Sequence, residues 1–195
     1  MKLPNNNLVM AIELNDLICV YDDALSKDLC DALISFFETN KDKHEKLDND
    51  GCPSFTQINF TENQKLTKEI ENLHKKVLSK VLEYKKLYYK YIDSRCFPEE
   101  NSFEQFRIKK YQNNEKELFD THVDVRDHSS SRRYLSFLFY LNDVEEGGET
   151  IFEGMKISPK CGRVVVFPPL WMYPHKGCIP KSNSKYILST YLHYK

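Results

Sequence analysis

The chain has 195 residues, of which 41% are hydrophobic and 29% charged. That is a globular composition, large enough for one domain with its own core and too short for two ordinary ones; it excludes a disordered or fibrous chain. Lys and Arg number 28 against 29 Asp and Glu, which excludes a protein held to nucleic acid mainly by a basic surface, and no apolar run approaches the roughly 18 residues of a membrane helix.

Met1 to Asn7 is polar and lacks the apolar core of a signal peptide, so the mature chain is expected to begin near Met1 and to be cytoplasmic. The six cysteines stand at 19, 30, 52, 96, 161 and 178. None forms a CxxC pair, so zinc-ribbon and thioredoxin-like motifs are absent and free thiols in a reducing compartment are expected. Ile18 to Tyr21 predicts a short strand. Ser26 reads as an N-cap, with Asp28 in the first turn. Leu29, Leu33, Phe36 and Phe37 then fall on one face of a helix ending near Thr39. Residues 40–54 are polar and read as an exposed loop, and Phe55, Ile58 and Phe60 as a second short strand. Thr61-Glu-Asn-Gln64 fits a capping box. Leu66, Ile70, Leu73, Val77, Val81, Tyr84 and Tyr88 repeat at helical spacing, predicting a helix over about 62–91. Its stripe reads as core-facing rather than as a coiled-coil seam, with Tyr88, Tyr89 and Tyr91 anchoring its end.

The pattern changes after Pro98. Phe103 to Tyr111 and Tyr134 to Leu141 alternate, and Gly162 to Phe167 and Tyr186 to Leu192 are β-rich. Asn113-Asn114, Gly147-Gly148 and Pro168-Pro169 punctuate them. Many short strands after two helices indicate an antiparallel sandwich or barrel.

Within that β half, His122-Val-Asp124 places an imidazole and a carboxylate on one face of an extended segment. Alone the pair is weak, since six His and 29 acids give about one such H-x-[DE] pair by chance. His175 lies 51 residues beyond Asp124. Two imidazoles and one carboxylate make the facial triad of non-haem iron oxygenases, which leaves coordination positions open. Lys185 follows ten residues after His175 and shares a strand face with Ile187, Ser189 and Tyr191. An ammonium on an inward face is costly without an anion, and so invites a ligand carboxylate.

These residues, with Tyr140-Leu-Asn-Asp-Val-Glu-Glu-Gly-Gly-Glu-Thr150, Pro159-Lys-Cys-Gly-Arg163 and His175-Lys-Gly177, resemble the 2-oxoglutarate/Fe(II) dioxygenases of the prolyl 4-hydroxylase type, including small viral and phage members. The resemblance covers about residues 103–194. It implies an α+β domain over 1–195: a double-stranded β-helix, or jelly roll, over 99–195, braced by a helical segment over 1–98. It implies Fe(II) held by His122, Asp124 and His175, with 2-oxoglutarate chelating the metal, its far carboxylate on Lys185, and Tyr111, Tyr140 and Ser189 assisting. O2 and ascorbate complete the implied cofactors. Hydroxylation of a prolyl residue in a protein or peptide is the implied reaction, with no membrane or nucleic-acid partner.

Neighbouring features carry less. Gly147-Gly148 reads as a turn former, and Arg132-Arg133 as strand-edge charges facing water, with substrate contact the alternative. Trp171 and Tyr173 read as walls of the site or as packing, and Asp127 to Arg133 as a mobile lid, with His128 off the ligand set. Asn113-Asn114-Glu115 stands where relatives often carry a glycine. The alternatives are a non-prolyl oxygenase acting on a small molecule, a nucleic-acid demethylase, and a cupin-like metal-binding module without catalysis. The demethylases use an arginine-rich stretch after the distal histidine, where this chain has lysines.

Overall fold

The computed structural model describes residues 13–49, 53–62 and 67–195; the expectations for Met1 to Asn7, for Cys52 and for Asn63 to Leu66 lie outside them. Two helices form where apolar stripes recur. Helix α1, Lys27–Thr39, starts at Ser26, whose hydroxyl accepts from the Leu29 amide, and buries Cys30, Leu33 and Phe37. Helix α2, Thr67–Tyr88, buries Leu73, Val77, Val81 and Tyr84, so its stripe faces the core. It stops short of Tyr91, which is exposed, while Tyr88 packs edge-on against Phe97. The Thr61 hydroxyl accepts from the Phe106 amide at 2.7 Å, which ties it to the sheet.

Among the described residues there are twelve strands: β1 Cys19–Tyr21, β2 Glu45–Asp48, β3 Ser54–Asn59, β4 Asn101–Phe103, β5 Arg107–Tyr111, β6 Phe119–His122, β7 Arg133–Tyr140, β8 Thr150–Phe152, β9 Met155–Ile157, β10 Val164–Phe167, β11 His175–Gly177 and β12 Lys185–Tyr194. The larger sheet has the order β1-β10-β7-β12-β5-β3-β2, with β4 also on β12; the smaller has the order β6-β11-β8-β9. The N-terminal half is therefore more than a helical brace, because β1, β2 and β3 extend the larger sheet at both edges. Residues 40–54, expected as a loop, contain the edge strand β2, paired to β3 from Glu45↔Gln57 to Asp48↔Ser54.

The larger sheet is covered on both faces, which is why β7 and β10 lack a clean apolar–polar alternation. One face carries Phe137, Phe139, Val164, Val166, Ile108 and Leu188 against α1 and α2. The other carries Tyr111, Tyr140, Val165, Phe167 and Ile187 toward the smaller sheet. Register fixes the second face: Lys185↔Tyr111, Ile187↔Lys109 and Ile187↔Tyr140, Ser189↔Leu138 and Tyr191↔Ser136 lie opposite one another. A one-residue slip of β12 would turn Lys185 out and Tyr186 in. No helix among the described residues is long and apolar enough to cross a membrane.

Candidate metal centre

Strands β6 and β11 pair with His175 directly opposite His122, and Asp124 follows two residues past the end of β6. One ligand atom from each of the three side chains lies within 4.8 Å of the others. The Nε2 atoms of His122 and His175 stand 3.6 and 3.8 Å from the two Asp124 carboxylate oxygens, and all three side chains are almost fully buried.

The imidazoles are oriented from behind. His122 Nδ1 lies 2.7 Å from the Asp120 carbonyl and His175 Nδ1 lies 3.0 Å from the Tyr173 carbonyl. A carbonyl only accepts, so each Nδ1 carries the proton and each Nε2 presents its lone pair to the centre. Phe119 stacks on His122 with centroids 3.4 Å apart, and Phe152 and Phe167 pack about His175. Burial pushes His175 below its usual pKa, which favours the neutral, ligating form. Burial alone would raise the Asp124 carboxyl. The neighbouring His122, with smaller contributions from His175 and Lys109, outweighs it and holds the acid down at about 2. Two neutral nitrogen donors and one permanent carboxylate fit a divalent first-row metal with open positions.

Arg133 anchors the third ligand. Its Nη1 donates to the Asp124 carbonyl at 3.0 Å, and its Nε and Nη2 form a fork on the Glu104 carboxylate at 2.7 and 2.8 Å. The expectation that this arginine faces water is therefore corrected. Its partly buried pairing to Glu104 lets it hold the backbone at Asp124, while Arg132 is exposed.

The triad opens into a pocket that Lys185, Tyr111, Ser189 and Thr150 also line. Lys185 is 2% exposed. Its ammonium donates to the Gly148 carbonyl at 2.9 Å and lies 4.4 Å from the centre of the Tyr111 ring. Burial lowers its pKa to about 8 from the ordinary 10.5. The Gly-Gly turn does more than reverse the chain, because Gly148 supplies that acceptor. Gly147 and Gly148 sit at φ +78° and +73°, and a Cβ on Gly147 would lie 2.4 Å from the Ile179 carbonyl, so glycine is required. The rest of the Tyr140–Thr150 segment secures the same corner. Asn142 Oδ1 accepts from the Tyr186 amide and Asp143 Oδ1 from the Cys161 amide.

The structure thus gathers His122, Asp124, His175, Lys185, Tyr111 and Ser189 around one space. Tyr140 stands on the same sheet face but does not line the cavity; its hydroxyl donates to Thr150 Oγ1 at 2.6 Å. Trp171 is 77% exposed and does not line it either. Tyr173 contributes its carbonyl to His175 while its ring joins the core. Asp127 to Arg133 forms a turn held by Asp127, whose carboxylate accepts from Ser129 and Ser130, and His128 is exposed on it. In the 113–115 turn the positive φ of +61° falls on Glu115, while the Asn114 side chain accepts from the Lys116 and Glu117 amides. One inward residue, Lys109, escaped the sequence reading; it lines the cavity, as does Tyr191 of the inward β12 set.

Residues 106–193 match the family described as the 2OG-Fe(II) oxygenase superfamily. A probable prolyl 4-hydroxylase of Arabidopsis thaliana is 36% identical over a match covering 33% of this chain and 29% of that protein. The chain spans less than a third of the length of the curated relatives it matches. Among solved structures, a viral collagen prolyl hydroxylase from Paramecium bursaria Chlorella virus-1, in complex with 2OG, superposes with TM-score 0.70 at 22% identity, covering 92% of this chain and 97% of that one. A Trichoplax adhaerens prolyl hydroxylase bound to a hypoxia inducible factor peptide gives 0.72 at 14% identity, covering 92% and 84%. These likenesses establish the jelly-roll fold. The family match spans the strands that carry the three ligands, so residues 106–193 are the part of this chain similar to the 2OG-Fe(II) oxygenase superfamily.

Proposed function

We propose that this protein is a 2-oxoglutarate- and Fe(II)-dependent dioxygenase that hydroxylates a prolyl residue of a protein or peptide. One observation carries the reading: three ligand atoms lie within 4.8 Å of one another in the same pocket that buries the Lys185 ammonium. His122 and His175 hold the metal through Nε2 and Asp124 through a carboxylate oxygen. When bound, iron couples oxidative decarboxylation of 2-oxoglutarate, giving succinate and CO2, to oxygen insertion into a substrate C–H bond.

The chain's own residues do the rest. A divalent metal with one carboxylate carries net +1, which draws an anionic chelator. Lys185 meets the far carboxylate of 2-oxoglutarate as a point charge, with Tyr111 beneath it and Ser189 and Thr150 beside it. Tyr140 fixes the Thr150 hydroxyl. Phe119, Leu138, Phe167 and Ile187 exclude water from the reacting face. Arg133 keeps Asp124 in register with the two imidazoles. The prolyl target is supported by the relatives' names, and a peptide by the Trichoplax complex. Ascorbate as an accessory reductant and a cytoplasmic location complete the reading. The five described cysteines are free thiols, in keeping with a reducing compartment.

The test is direct. Anaerobic addition of Fe(II) and 2-oxoglutarate should produce the visible metal-to-ligand band. Aerobic turnover with proline-containing peptides should release succinate and add one oxygen, stimulated by ascorbate. A metal-binding module without catalysis would give neither succinate nor oxidised peptide.

A further inference from the structure

Beyond the cavity, two of the three ligands, His122 and Asp124, border a second, more open groove. Phe55, Gln57, Arg107 and Lys109 line it from the larger sheet, and Arg126 and Arg133 from the side of Asp124. Lys109 belongs to both spaces, whereas Lys185 belongs only to the inner one. Lys109 therefore marks the passage from cosubstrate cavity to groove.

The charges there do not balance. Glu104 is the acid on the groove wall apart from the metal ligand Asp124. It is already consumed by Arg133, by Arg107 at 3.2 Å and by His193 at 2.8 Å. Asp124 is committed to the metal. The Lys109 ammonium lies 5.2 Å from the centre of the Phe55 ring and makes no hydrogen bond or ion pair with any described residue. Its side chain is half-buried, and an ammonium drawn partly out of water with no protein counter-ion favours binding an anion. In the proposed function 2-oxoglutarate supplies no partner, because one of its carboxylates chelates the metal and the other meets Lys185.

We propose that Lys109 receives a carboxylate of the oxidised substrate: the peptide in the groove carries an acidic side chain next to the residue whose C–H bond is attacked. This rests on the hydroxylase reading and narrows it to acidic peptide segments. Arg126 extends the same positive field along the groove, so acidic residues further out add on-rate and salt dependence. The carboxylate beside Lys109 supplies the register that brings one residue, and not its neighbours, over the metal.

The experiment compares one fluorescent proline-containing peptide in three versions, with Asp, Asn or Lys flanking the proline. Binding is followed by anisotropy at low salt, with Fe(II) and 2-oxoglutarate under anaerobic conditions and again without metal. The wild-type protein should favour Asp over Asn by about tenfold or more. Lys109→Leu should bring that ratio to within about twofold, Lys109→Arg should keep it, and Lys109→Glu should turn the preference toward the Lys peptide. A wild-type ratio near one, or an Asp preference that survives Lys109→Leu, overturns the proposal. So does a Lys109→Leu variant that loses 2-oxoglutarate affinity while keeping its peptide preference. The two readings fail separately. Asp-selective binding with no oxygen added to any peptide defeats the hydroxylase and leaves the charge recognition standing. Oxidation of all three peptides with equal binding does the reverse.

Discussion

Replacing Lys185 by Met should make the ligand-free protein more stable and the proposed cosubstrate site weaker at once. The Lys185 pKa of about 8 lies below its ordinary 10.5, a difference worth about 3 kcal/mol against the charged form in the fold. Met removes that cost and keeps most of the volume, but leaves the Gly148 carbonyl without its donor, at about 1 kcal/mol. The net gain is about 2 kcal/mol, or roughly 4–8 °C in Tm for a chain of this size. Binding should move the other way. Removing one member of a desolvated ion pair costs about 3 kcal/mol, which is about 100-fold in 2-oxoglutarate affinity. The sign of the pH dependence follows from the same group. Below about pH 8 the folded protein bears the full cost of the buried ammonium. Between 8 and 10.5 the unfolded chain binds the extra proton, so wild-type stability rises with pH. Wild-type 2-oxoglutarate affinity should fall above pH 8 as the ammonium is lost; in Lys185→Met the stability trend should shrink to the part that Lys109 supplies, and the affinity trend should be missing. Thermal melts of the metal-free proteins and anaerobic titration of the visible band read the two effects. A variant that binds 2-oxoglutarate within threefold of wild type, or melts lower, would refute the reasoning.

Asp124→Ala and His175→Ala should each abolish succinate release, and isothermal titration with a redox-inert divalent metal should show the lost affinity directly. Arg133→Ala removes the fork on Glu104, leaving it Arg107 and His193, and frees the Asp124 carbonyl. Breaking a partly buried pair of this kind should cost about 3 kcal/mol in urea unfolding, and should weaken metal binding even though Arg133 touches no metal. A variant that unfolds like wild type would show that the fork contributes nothing. Gly147→Ala should destabilise by more than about 2 kcal/mol, since the added Cβ meets backbone at 2.4 Å and the φ of +78° disfavours it. An unchanged unfolding midpoint would refute the assigned turn geometry.

What the sequence revealed and what it hid follow from the range over which each signal acts. His122 and Asp124 are two residues apart, and Lys185 lies on a ten-residue strand whose inward set of Lys185, Ile187, Ser189 and Tyr191 can be counted by twos. Period-2 geometry suffices for both. Strands β8, β9 and β11 have three residues each, too few to show any period. Strand β2 is an edge and carries a single apolar residue, Leu47, too little for a pattern. Lys109 was hidden for a different reason. In β5, Phe106 and Ile108 read as the core side, which leaves Arg107 and Lys109 to be read as solvent-facing. Both faces of this sheet are covered, so the apparently polar side is the wall of the site. Tyr111, on the same face, was the available clue, since a pocket tyrosine places Lys109 in the pocket by the same alternation.

The cavity is better understood from its charges than from its shape. A carboxylate held ionised at about 2 lines the same space as the buried Lys185 and half-buried Lys109 ammonium groups, whose pKa values are both depressed to about 8. Such a cluster is not what stability alone would select, since apolar residues of the same volume would fill the space at lower cost. Its stored cost is relieved when a cation joins the carboxylate and anions join the ammonium groups. A divalent metal, a dicarboxylate and an acidic substrate together supply those partners. Binding of each should therefore strengthen the next: the metal recruits the chelating carboxylate, and closure of the inner cavity leaves Lys109 as the cation still facing the groove. If 2-oxoglutarate bound equally well with and without metal, that coupling would be absent, and the three charges would be independent features of the fold rather than one site.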